Sequence, residues 1–231
     1  MNLLSSIFFE GVNFEDSFDF AFVFKSIVSR WYLYLALVLV IIGVVLFTII
    51  KKPPVSNKLS KTQRLCYVSM FVALCTAVNV LELSTPLAHF SLVATLACVA
   101  GVLLGPLDGF ASAFLGDLIG AIIAPKGIYS PIIGLGTSLL GLVPGLMFSY
   151  SKLKDFQKII ISFIITFVLT SFLLNTIGLS LIYPKVYVLT ERLVSLPFTL
   201  IFHAVNCCLS ILLIKVFKRI LPKNKFFIDK V

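Results

Sequence analysis

The chain has 231 residues, of which 59% are apolar and only 13% charged, with a net charge of +9 and a mean hydropathy of +1.09. A water-soluble domain of this composition would lack the polar surface to cover itself, so the medium is lipid. The positive charge does not mark a nucleic-acid groove: 14 of the 19 Lys and Arg lie in three stretches, Lys51 to Arg64, Lys152 to Lys158 and Lys215 to Lys230, as they do at the cytoplasmic margins of membrane spans.

Residues 1–30 place Glu10, Glu15, Asp16 and Asp19 ahead of any hydrophobic core, which does not fit a cleavable signal. Trp31 to Ile50 is an uncharged apolar run with the roughly 20 residues that a helix needs to cross a bilayer, and Trp31, Tyr32 and Tyr34 stand at its first end as interfacial aromatics do. Lys51-Lys52-Pro53-Pro54 stops that helix, and a basic linker leads to Arg64. Six further spans are predicted near 65–82, 91–104, 109–124, 131–150, 159–182 and 192–215, the second of them short. Gly105-Pro106, Pro125-Lys126-Gly127 and Tyr183-Pro184 punctuate them. The expected division is an N-terminal extension over 1–61 with one transmembrane helix, a six-helix core over 62–220 and a basic tail over 221–231. Placing the three basic stretches on one side of seven spans sets the N terminus outside and the C terminus in the cytoplasm.

Asp117 is the acid well inside a predicted span, where an ionisable group costs several kcal/mol unless it is paired or faces a watery cavity; it is either a ligand group or a hydrogen-bonded anchor between helices. Ser69, Ala73 and Ala77 recur every four residues, a small-residue stripe that serves either packing within the chain or docking of another helix. Toward the predicted outer side, His89, Lys126, Tyr129, Tyr187 and Arg192 gather rings and positive charge above a bundle that offers Asn175 from within. That set suits a flat anionic ligand, since rings stack and Arg clamps carboxylates, and it equally suits a membrane interface. His203 reads as a hydrogen-bonded helix contact with Asn206 for partner. The five cysteines lie in apolar stretches without metal or redox spacing, and no metal site or cofactor is expected. The chain lacks HExxH, GxSxG and a P-loop, so it is read as no enzyme and as having no ATPase site of its own.

Taken together, Gly105-Pro106-Leu107-Asp108-Gly109, Leu115-Gly116-Asp117-Leu118-Ile119-Gly120-Ala121 and Pro125-Lys126-Gly127-Ile128-Tyr129-Ser130-Pro131 resemble the substrate-binding S components of energy-coupling factor (ECF) transporters. Leu174-Asn175-Thr176-Ile177-Gly178-Leu179-Ser180, with Tyr183 and Glu191-Arg192-Leu193, is similar to the folate-specific branch. The resemblance covers about residues 62–220. It implies an all-α integral membrane protein, a six-helix S-component core to which this chain adds an N-terminal helix. It further implies a bacterial cell-membrane subunit of an ABC importer that captures a vitamin, folate by this branch. Its partners would be a transmembrane coupling subunit, contacted through Ala73 and Ala77, and two ATPase subunits. Within such a site the expected substrate-binding residues are Asn175, Arg192, Tyr129, Lys126, Asp117 and His89, with the pterin stacked on Tyr129 or a neighbouring aromatic, Asn175 at its polar edge, and Arg192 or Lys126 on the carboxylates. Gly178 stands where that branch carries a bulky residue, which implies a differently shaped pocket. The alternatives are an S component for another vitamin or precursor, and a ligand-free membrane scaffold.

Overall fold

Among the described residues each long apolar run becomes one helix, and the ends are set by local chemistry. The structure, a computed structural model, describes residues 59–84, 89–125, 129–182 and 185–220, together with Tyr32, Leu35, Ile42, Gly43 and Leu46, which are helical. The expected first span as a whole, its linker and the tail at 221–231 lie outside the described residues.

Helix α1, Lys61–Val80, starts at a capping box: the Gln63 amide N–H donates to Ser60 Oγ at 3.3 Å and the Ser60 N–H to Gln63 Oε1 at 3.2 Å. A two-residue antiparallel ladder, β1 Leu83–Ser84 with β2 His89–Phe90, follows and pairs Leu83 with Phe90 and Ser84 with His89. Helix α2 covers Val93–Leu104 and α3 Pro106–Ile123, with only Gly105 between them. Gly105 has a φ of 113°, which a side chain would resist, and Pro106 opens α3 at the position where its missing N–H costs nothing. Helix α4 is Pro131–Tyr150. Helix α5 runs as an α-helix over Asp155–Thr166, widens to a π-helix over Phe167–Leu174 and returns to α-helix over Asn175–Ile182. Helix α6, Lys185–Ile220, is the longest.

All but α2 are long and apolar enough to cross a membrane. Their outer faces carry Leu74, Ile122, Ile164, Phe172, Leu200 and Leu212 in contact with the surroundings, as lipid-facing surfaces do. At 12 residues α2 is only about 18 Å long. It stands in the middle, with α1, α3, α4 and α6 packed around it, and eleven of its twelve residues are buried. Close approach comes from glycine: a Cβ on Gly141 would lie 2.3 Å from the Gly109 carbonyl oxygen, and one on Gly101 would lie 2.0 Å from the Gly141 oxygen. At this crossing α2, α3 and α4 touch backbone to backbone.

Two ion pairs tie the end of the bundle opposite the ladder. Arg64 grips Asp108 with both arms, Nε to Oδ2 at 2.6 Å and Nη2 to Oδ1 at 2.7 Å, joining the starts of α1 and α3. Lys218 pairs with Asp155, joining α6 to α5. Beside them Lys158 is fully buried with its Nζ 5.1 Å from the centre of the Phe148 ring, a cation–π contact.

Candidate functional site

The short central helix creates the site. Because α2 ends well before the helices around it, a hollow of 370 Å³ is left over its N-terminal end, at the pole of the bundle that carries the β1–β2 ladder. Five other helices wall it. Asn79 near the end of α1 and Asp117 of α3 form one side, Thr137 of α4 another, Thr170 and Asn175 of α5 a third, and Phe202 of α6 supplies an aromatic face. Its volume falls within the ordinary range of small-molecule sites.

Asp117 is held from two sides. Asn79 Nδ2 donates to its Oδ1 at 3.0 Å. The Tyr129 phenol faces the carboxylate from behind, and burial, with the Asp117 charge adding to it, pushes the phenol up, so it stays neutral. Both groups crowd Gly134: a Cβ there would stand 2.2 Å from Tyr129 Oη and 3.0 Å from Asp117 Oδ2. Asp117 is thus anchored between helices and also lines the hollow.

The π-helix sets the third wall. Across its end the Asn175 N–H bonds to the Thr170 carbonyl, five residues back. In an α-helix those two residues would stand about 140° apart around the axis. The wider turn brings them to the same side, and both line the hollow. No hydrogen bond engages the Asn175 amide among the described residues, which leaves its donor and acceptor to a ligand.

His203 Nε2 lies 3.1 Å from the Phe163 carbonyl and 3.3 Å from Thr166 Oγ1, bridging α6 to α5. It is the helix contact expected, but Asn206 is not its partner. Asn206 instead accepts from Thr95 Oγ1 at 2.6 Å and donates to the Ser91 carbonyl at 3.1 Å, pinning α6 to the start of α2.

Of the expected ligand residues, the structure brings Asp117 and Asn175 into the hollow. Tyr129 stands behind Asp117 and does not line it, so the aromatic face inside belongs to Phe202. Arg192 is half-buried near the start of α6 and does not line it either. Lys126 lies outside the described residues, and of His89 only the backbone is described, in the ladder. Sequence reasoning passed over Glu82, just past the end of α1, and over Asn79, Thr137, Thr170 and Thr199, because lone polar residues in apolar helices are ordinary packing groups until their common direction is seen.

A second hollow, 740 Å³ and open to the side, runs along the outer face of α1 against α3. Ser69, Ala73 and Ala77 form its floor, and Leu65, Leu115 and Ile119 are among its walls. All three small residues are exposed, whereas α1 buries Phe71 and Cys75 into the bundle.

A solved structure of FolT bound with folic acid shares the fold, with a TM-score of 0.52 over 66% of this chain and 96% of that one at 20% identity. No curated protein matches the chain in sequence. Residues 63–221 match the family described as ECF transporter, substrate-specific component, and the chain, with its short glycine-packed helix inside a membrane bundle and a polar hollow above it, belongs to that family.

Proposed function

We propose that the chain captures a vitamin, folate by preference, outside the cell and hands it to a coupling subunit driven by two ATPases. The observation that carries this reading is the polar hollow over α2, lined by Asn175, Asp117 and Phe202, in a fold shared with a protein solved with folic acid. In this reading the pteridine lies against Phe202, and Asn175 meets its edge with a donor and an acceptor. Arg192 or Lys126 would hold the carboxylates in this reading, and His89 belongs to the ladder at that pole. The exposed groove at Ala73 and Ala77 receives a helix of the coupling subunit, a reading supported by the stripe facing away from the bundle. ATP hydrolysis drives release, since a bound ligand shifts an equilibrium only by its differential affinity for two states. Residues 62–220 form the transport core in this scheme, and 1–61 and 221–231 are additions to it.

Calorimetry on the detergent-solubilised protein with folate, riboflavin, thiamine and pantothenate tests the substrate. Folate should bind, and Asn175→Ala should weaken it by about tenfold or more, the cost of leaving a buried pterin edge unpaired. Heat with another vitamin and none with folate would refute folate and leave the transport role standing. One feature favours that second reading: Gly178 lies under Ile133, whose Cγ1 would be 2.7 Å from a Cβ there, so Ile133 shapes this part of the wall.

A further inference from the structure

Two uncovered apolar surfaces of this chain match each other. One is the open groove on the outer face of α1 against α3, 740 Å³ in volume, with Ser69, Ala73 and Ala77 on its floor and Leu65, Leu115 and Ile119 in its walls. The other belongs to the apolar run Trp31–Ile50. Its described residues, Tyr32, Leu35, Ile42, Gly43 and Leu46, are helical and exposed, and at about 100° per residue they fall within a sector of about 100° on one face. Gly43 carries no side chain to hold a second backbone off that face.

Chain length and direction bring the two together. Ten residues, Lys51 to Ser60, connect Ile50 to the start of α1. Extended they would reach about 33 Å, whereas packed helix axes lie only about 8–10 Å apart. With Lys51, Lys52, Lys58 and Lys61 retained at one membrane face, the run meets α1 antiparallel, as neighbours on a short connection do. Placing Lys51 level with Ser60 sets Leu46 beside Leu65, Ile42 beside Ser69, and Leu35 beside Thr76 and Ala77, all four of these partners lining the groove. Large side chains of the run thus fall on a floor of small ones. The outer faces of α5 and α6 instead project Phe172, Leu200 and Leu212, which hold a second helix at a distance.

We propose that the helix at Trp31–Ile50 docks in the α1–α3 groove of its own chain and covers it until the coupling subunit displaces it. The structure shows the open state, with the groove and the described face both uncovered. A tether of this length gives the helix a local concentration on the order of millimolar, a competition that the coupling subunit has to win. Docking of the helix stands by itself. Its displacement rests on the proposed reading of the groove as the coupling surface.

Disulfide trapping in the full-length protein tests both, in a background where the five native cysteines are replaced and a protease site is placed in the linker after Asn57. After oxidation and cleavage, a bridge within one chain keeps its two pieces together on a non-reducing gel. The matched pairs are Ile42→Cys with Ser69→Cys and Leu35→Cys with Ala77→Cys. They should bridge about tenfold faster than the crossed pair Leu35→Cys with Ser69→Cys, whose levels differ by about 10 Å. A second control is Ile42→Cys with Val205→Cys on the outer face of α6; every substituted position is exposed, so the bundle keeps its packing. Equal bridging in all pairs, or bridging in none, overturns docking and leaves the coupling reading standing. Bridges between two chains assign the groove to a second copy and overturn it as well. Addition of the purified coupling subunit with its ATPases should slow the matched pairs about tenfold. Undiminished bridging with that complex bound overturns displacement, and with it the reading of the groove as the coupling surface, while docking holds.

Discussion

Two glycines of α4 with similar crowding should answer substitution in opposite ways. At Gly141 an added Cβ meets the backbone oxygen of Gly109 at 2.3 Å, which nothing can move without parting α3 from α4. At Gly134 the nearest atom is the tip of the Tyr129 side chain, which can swing aside. Gly141→Ala should therefore lower stability by roughly 3 kcal/mol or more and bring down the yield of folded protein. Gly134→Ala should cost only about 1 kcal/mol while displacing the phenol from Asp117 and weakening ligand. Thermal melting in detergent, paired with binding, checks both: a similar loss of melting temperature in the two variants would refute the distinction.

At the scale of the element, the spans were legible because lipid demands long apolar runs, and the short second span of the core was legible from its length. The start of α3 at Pro106 was less so, since Gly105-Pro106 reads as a turn, and here a single residue makes the whole turn between two helices. The π-helix could not be read: Phe167 to Leu174 is an apolar run like its neighbours, and the switch to five-residue bonding is a property of how α5 packs. Without it Asn175 is identifiable as a polar residue in a span, but Thr170 beside it is not. The Arg64–Asp108 clamp was hidden for a related reason, its partners being separated by 44 residues with no periodicity to link them. The stripe at Ala73 and Ala77 was seen, but only the structure shows which way it faces. If the groove receives the coupling subunit, Ala73→Trp or Ala77→Trp should abolish uptake in cells expressing the whole transporter. Vitamin affinity of the purified variant should stay within about threefold. Equal loss of uptake and binding would show that the stripe supports the fold of this chain.

For the whole molecule, the two hollows and the charge pattern form one argument about direction. The polar hollow opens at the pole where α1 ends and α2 and α4 begin, and the Arg64–Asp108 and Lys218–Asp155 pairs lie at the other. Of the basic stretches, Lys61, Arg64, Lys152, Lys154, Lys158 and Lys218 fall at that second pole. If basic loops are retained in the cytoplasm, the hollow faces outward, as capture from the medium requires, and a helix preceding α1 starts outside. The arrangement is checked with single cysteines at Ser17 and Asn224, each in a background where the five native cysteines are replaced, using a membrane-impermeant thiol reagent on intact cells. Ser17→Cys should be labelled directly, and Asn224→Cys only after the membrane is permeabilised. The reverse pattern would place the hollow on the cytoplasmic side, and capture from outside would fall with it. Labelling at both positions in intact cells would mean an even number of crossings between them, against the seven expected from the sequence.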